Sequence, residues 1–224
     1  MKPSVGACCL AVLVSASAAA QQDTPSIAQA DDASETGLQF ALRTGFMLPF
    51  GETADRPQAQ ASLSNSYSGF LPIWIEGGYR FTPNLFVGAF FQYAFGFTKN
   101  CPPGFDCSGS DLRAGAEGHY HFMPGRMADP WLGLGVGYEW LRASVSSGSL
   151  SADATLHGFE FVDFQAGIDF AVTKTFSVGP FAALTLAQYR TISISSGGLS
   201  SSDLIDKRAL HELLIFGVRG TFGP

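Results

Sequence analysis

Charge is scarce in this chain. Asp, Glu, Lys and Arg make up only 14% of its 224 residues, and the net charge is −6 with no cluster of Lys or Arg. Nucleic-acid binding needs a concentrated basic footprint, so that class of partner is excluded. The body of the chain also lacks any run of the ~20 apolar residues that a spanning helix requires. It has no Gly-x-Ser-x-Gly elbow, phosphate-cradling glycine loop, dinucleotide fingerprint, zinc-finger spacing or EF-hand loop. What it has instead is Phe, 20 of them, within a hydrophobic content of 46%. The mean hydropathy of +0.16 is high for a soluble domain. Apolar residues without long apolar runs must lie in short pieces, and alternating strands are one way to arrange them.

The N-terminus reads as a secretory signal. Lys2 supplies a minimal positive region, Val5 to Val14 the apolar stretch, and Ala18-x-Ala20 a cleavage site before Gln21. Cys8 and Cys9 leave with this segment. Residues 1–20 are thus the expected signal peptide, and 21–37, polar and acidic, the expected flexible N-terminus of the mature chain. Export places the remaining cysteines, Cys101 and Cys107, in an oxidising compartment, where a disulfide closing the loop CPPGFDC is expected.

From residue 38 the pattern has period two and keeps it to the end. Eight strands are expected, at about 38–50, 69–81, 85–97, 110–122, 130–143, 157–172, 176–191 and 208–222. The phase of the seventh, interrupted by Pro180, stays open. The connections run long, short, long, short, long, short, long. The short ones are tight turns such as Thr82-Pro83-Asn84 and Thr173-Lys174-Thr175, and the long ones are rich in Ser and Gly.

Each strand has a bulky face and a polar face. Leu38, Phe40 and Leu42 alternate with Gln39, Ala41 and Arg43, and Phe91, Tyr93 and Phe95 with Phe90, Gln92 and Ala94. So many Phe on one outward face exceed what a soluble surface can expose, whereas a lipid-facing exterior accommodates them. A closed barrel also satisfies every backbone group, as hydrocarbon demands. Aromatics recur at both strand ends, as two interfacial belts would require. The inward face collects Arg43, Arg80, Arg113 and Arg219 with Glu76, Glu117, Glu139, Asp163 and Asp169. An eight-stranded barrel is just wide enough for side chains to fill. A salt-bridged polar plug is therefore expected, because buried charges must be paired.

Together these features resemble the OmpA/OmpX-like family of eight-stranded outer-membrane β-barrels over about residues 38–222, within an expected barrel domain of 38–224. The last strand, LLIFGVRGTFGP, is similar to the C-terminal assembly signal of that family, although Gly223 and Pro224 follow its aromatic Phe222. The resemblance implies an all-β, antiparallel up-and-down transmembrane barrel in the outer membrane of a Gram-negative cell. Short periplasmic turns, long extracellular loops and an even strand count put both termini in the periplasm. The implied partners are outer-membrane lipid and lipopolysaccharide, and the barrel-assembly machinery; the expected state is a monomer without cofactor.

Function is less legible. The leading expectation is a structural or surface-interaction role for the extracellular loops. A narrow channel for small or hydrophobic solutes, as in the OmpW-like barrels, is the alternative, with Trp74, Phe86, Phe90, Leu213 and Ile215 inside. A lipid A-modifying or proteolytic enzyme is a distant third; His157 and His211 near the loop end, with Asp153, Glu160, Asp203, Asp206 and Glu212 around them, are its only material. His119 and His121 share a face beside Glu117 and have metal-chelating spacing, but hydrogen bonding in a polar lumen is the simpler expectation.

Overall fold

The computed structural model describes residues 36–53, 62–148 and 150–224. The expected signal peptide and all but the last two residues of the expected flexible segment lie outside these. Among the described residues there are nine strands: β1 (Gly37–Gly51), β2 (Tyr67–Thr82), β3 (Leu85–Thr98), β4 (Asp106–His121), β5 (Ala128–Ser147), β6 (Leu150–Ala171), β7 (Phe176–Ser196), β8 (Leu199–Leu204) and β9 (His211–Phe222). A one-turn helix, α1 (Leu63–Ser66), precedes β2.

Eight of the strands form a closed antiparallel ring. β1 to β7 pair in sequence order, β9 pairs with β7, and β9 closes the ring on β1 from Phe40↔Phe222 to Gly51↔His211. Closure leaves no edge within the ring, so each backbone donor has a neighbour whatever solvent surrounds it. β8 stands outside the ring and pairs only with the loop-side end of β7.

Two stretches expected to be loops are strand. Residues 144–156 continue β5 and β6 as a paired hairpin up to Ser147↔Leu150, and 192–207 contain the β7–β8 hairpin. The second turns on Gly197 and Gly198, with φ of 57° and 84°. Two consecutive left-handed residues are what a two-residue hairpin needs, and Gly-Gly between alternating residues is the signal for it. β7 also has a definite phase. Phe181, Ala183, Thr185, Ala187 and Tyr189 face inward, and Pro180, Ala182 and Leu184 outward.

The pleat sorts the side chains. Outward residues are large and exposed, with Phe40 at 56% and Phe164 at 47%, while the inward Trp74, Phe86 and Ile215 are at 1% or less. The core therefore lies inside the ring. Phe70, Trp74, Phe90 and Phe181 pack there with Met47 and Ile215, and Leu63 of α1 and Ile205 join this cluster from the loop side.

Candidate functional site

The lumen gathers ionisable groups from seven of the eight ring strands, and β3 adds Gln92 and phenylalanines to it. Near the short-turn end, Arg80 donates to Gln39 Oε1 at 2.9 Å and to the Pro83 carbonyl at 3.0 Å, and its Nη2 lies 3.2 Å from His121. The other nitrogen of His121 bonds Asp129 at 2.7 Å. That carboxylate also accepts the Met123 amide at 3.0 Å, which ties the β4–β5 turn to the lumen.

Glu76 is the hub one level up. It is ion-paired with both Arg43 and Arg219. Arg219 also reaches Asp169 at 2.6 Å, and Arg43 reaches Gln165 at 2.7 Å and Glu117 at 3.8 Å. Indole rings cover the guanidinium planes, with Arg43 4.5 Å from the Trp74 centroid and Arg219 4.7 Å from that of Trp131. Planar delocalised cations stack in this way, which lowers the cost of removing them from water.

A third group lies toward the loops. Arg113 donates to Glu160 at 2.6 Å, to Gln92 at 3.2 Å and to Asp163 at 3.4 Å. Beyond it, Glu139 accepts from His211 at 2.9 Å and from the Tyr189 hydroxyl. Arg43, Arg113 and Arg219 are all fully buried.

The structure thus brings Arg43, Glu76, Glu117, Asp169 and Arg219 into one cluster and Arg113 with Asp163 into another. Arg80 bonds amide, carbonyl and imidazole groups at the short-turn end, and Glu139 bonds a histidine and a tyrosine. Three buried carboxylates add to the inward charges read from the sequence: Asp111, Asp129 and Glu160. Asp129 sits at the start of β5, in a stretch expected to be a turn. Glu160 points inward because the register against β7 shifts between Glu160 and Val162, a β-bulge that leaves Phe161 and Val162 both outward. Two adjacent bulky residues in an otherwise alternating strand are its visible sign. Asp111 lies on the polar face that the period of two assigns it; neither of its oxygens meets a hydrogen-bond donor.

The histidines part company. His119 approaches Glu76 and Glu117 closely enough that the three offer ligand atoms within 4.8 Å of one another. However, Arg43 and Arg219 stand 3.3 and 3.4 Å from its two nitrogens, so guanidinium groups already hold the place a metal cation would take. His121 is committed to Asp129 and Arg80. His211 stands at the loop end as expected, opposite Gly51, and is buried in the lumen. His157 faces outward and bonds Tyr138 at 2.5 Å. Asp153 bonds Arg142 and Ser144. Among the described residues no hydrogen bond joins His157 or His211 to a serine. Cys101, in the loop after β3, forms a disulfide with Cys107 near the start of β4.

The closed antiparallel ring agrees with solved structures. A major outer membrane protein from Thermus thermophilus superposes with a TM-score of 0.51, over 84% of this chain and 99% of that one, at 10% identity. The outer membrane protein OprG from Pseudomonas aeruginosa gives 0.50, over 85% and 99%, at 14% identity. This chain has the fold of an outer-membrane β-barrel. Neisserial surface protein A is also similar, with 18% identity over 83% of this chain and 96% of that one and a TM-score of 0.45. The sequence matches no protein-family profile and no characterised protein. In an outer-membrane barrel the exposed Phe belts meet lipid, which is the environment their exposure requires.

Proposed function

We propose that this outer-membrane barrel is a closed anchor whose role is to present its loop-side structures at the cell surface. The observation that carries this reading is the packing of the lumen. Trp74, Trp131, Arg43, Arg113 and Arg219 fill it, and each is 1% exposed or less. Leu63 of α1 and Tyr67 add to the filling at the loop-side mouth. The apolar residues that would line a channel, Trp74, Phe86, Phe90, Leu213 and Ile215, are likewise at 4% or less, which leaves little room for water beside them. Both termini then lie on the periplasmic side, and the raised hairpins and the disulfide loop face outward.

Planar-bilayer recording of the refolded mature protein tests this. The expected result is no discrete conductance step from the wild type, with steps appearing once Trp74→Ala opens the plug. Steady single-channel steps from the wild type would overturn the closed-anchor reading in favour of a channel.

A further inference from the structure

A helix of one turn has little stability of its own, because every carbonyl in it lies at an end. In α1 the Leu63 carbonyl accepts the Tyr67 amide. The other three carbonyls are met by two neighbouring residues of the β3–β4 loop. Lys99 donates its amide to the Ser66 carbonyl at 2.8 Å and its Nζ to that of Ser64 at 3.2 Å. Asn100 donates Nδ2 to the Asn65 carbonyl at 3.2 Å. The other end of α1 has no side-chain cap, and is tied to β1 by the isolated bridge Glu52↔Ser62.

Lys99 and Asn100 are in turn held by their own loop. Asn100 has a φ of 56° and is the one non-glycine in the left-handed region among the described residues. The next residue is Cys101, whose disulfide to Cys107 closes the loop. Thr98 Oγ1 donates to the Cys107 carbonyl at 3.3 Å and Ser147 Oγ to that of Gly104 at 2.9 Å. Cys101 is exposed, so a reagent in solution can reach it.

What α1 covers is the loop-side mouth of the lumen. Leu63 is 2% exposed and packs in the cluster that holds Met47, Tyr67 and Leu213. Tyr67 lies over Gly109 of β4, where a Cβ would collide with its ring. The next inward residue on β4 is Asp111, buried and with no donor for either oxygen. A buried carboxylate without donors destabilises a dry site and is relieved by water. Asp111 therefore favours hydration as soon as the cover lifts. Segments held by a few exposed hydrogen bonds are the ones that open locally.

We propose that α1 is a lid on the loop-side mouth and that the Cys101–Cys107 disulfide is its latch. A dithiol supplies two electrons and two protons and becomes a disulfide, while Cys101 and Cys107 become thiols. The loop then loosens, Lys99 and Asn100 leave the α1 carbonyls, and Leu63 swings out about the Glu52↔Ser62 bridge. Water reaches Tyr67 and Asp111. The plug of Trp74 and the arginines lies deeper and stays in place, so the lid acts on the mouth alone, whether or not the barrel conducts.

The test uses the folded mature chain in lipid, with and without dithiothreitol. Thiols are blocked with iodoacetamide, the reagents are removed, and hydroxyl-radical oxidation is mapped by mass spectrometry. Leu63 and Tyr67 should be oxidised about fivefold more in the reduced protein, with Trp74 and Trp131 unchanged. Equal oxidation of Leu63 and Tyr67 in both forms overturns the latch. So does a rise that includes Trp74, which would mean that the whole barrel has loosened. A second arm keeps the disulfide intact. The variant Lys99→Ala, Asn100→Ala should by itself expose Leu63 and Tyr67, and reduction should add nothing further. If this variant stays protected until it is reduced, the carbonyl contacts are not the link and the proposal fails. The first arm starts from folded wild type and so decides the matter even if the variant does not refold.

Discussion

Arg219 grips Glu76 with two of its nitrogens, Nε at 3.0 Å from Oε1 and Nη2 on the same oxygen, reaching past β1 from β9 to β2. Arg43 of the intervening β1 holds the other oxygen. Three ring strands therefore meet on one carboxylate. Breaking a buried ion pair by removing one partner costs about 3–5 kcal/mol, because the remaining charge stays buried and uncompensated. Glu76→Gln keeps the shape and removes the charge, so it should lower unfolding stability in lipid vesicles by about that amount. Urea titration with tryptophan fluorescence measures it; a loss below about 1 kcal/mol would mean that Asp169 and Glu117 take over the pairing.

The β1–β9 seam closes on glycine. Gly45 lies directly opposite Gly217, and a Cβ on either would collide with the backbone of the other strand. Overpacking at such a point costs about 1–3 kcal/mol. Gly217→Ala should therefore weaken the folded barrel or slow its closure. Gly118→Ala, whose Cβ would meet only the Phe86 carbonyl at 3.5 Å, should be close to silent. Refolding yield by the electrophoretic shift distinguishes them, and equal yields for the two variants would refute the seam argument.

The disulfide between Cys101 and Cys107 spans a sequence separation of only six. Closing so short a loop removes little chain entropy, about 2 kcal/mol at most. The paired variant Cys101→Ser, Cys107→Ser should thus retain the heat-modifiable barrel while its 98–106 loop becomes open to proteolysis. Limited proteolysis with mass mapping checks this. Loss of the barrel itself would show that the disulfide acts beyond its own loop.

Above the membrane belt, hydrogen bonds from Ser144 and then Arg142 hold the Asp153 carboxyl below the usual carboxylate range. A depressed folded-state pKa contributes stability above the unfolded value, and this is lost as pH falls through the folded one. The outer β5–β6 hairpin should accordingly loosen in acid, below the ordinary carboxylate range. Ser144→Ala should move the Asp153 titration upward. A carboxyl-carbon NMR titration showing the same midpoint in both proteins would reject the assignment.

The ring of eight and its two faces are legible in the sequence because both follow from a local period of two, which needs no knowledge of neighbours. Arg43, Glu76 and Arg219 can be placed inside on that basis alone. Their partners cannot, since Glu76 meets Arg219 across 143 residues of sequence, and register between strands is not written in any one of them. Glu160 is hidden by a bulge, and Asp129 by a turn shorter than expected. The raised hairpins look like loops in the sequence because Ser and Gly read as loop residues, although Ser193 and Ser202 pair in the β7–β8 ladder as well as any apolar residue would.

The bulge at Phe161 and Val162 has a consequence for how β6 tolerates change. It lets Glu160 and Asp163, three residues apart, both reach Arg113 from the same strand, like the two jaws of a pincer. It also divides β6 into two reading frames of the pleat. Loss of either bulge residue would merge the two frames and leave Glu160 and Asp163 both inward. Strict alternation of the full strand without the bulge would instead turn Glu160 and Gly158 out to lipid and drive Phe159 and Phe161 into the polar lumen.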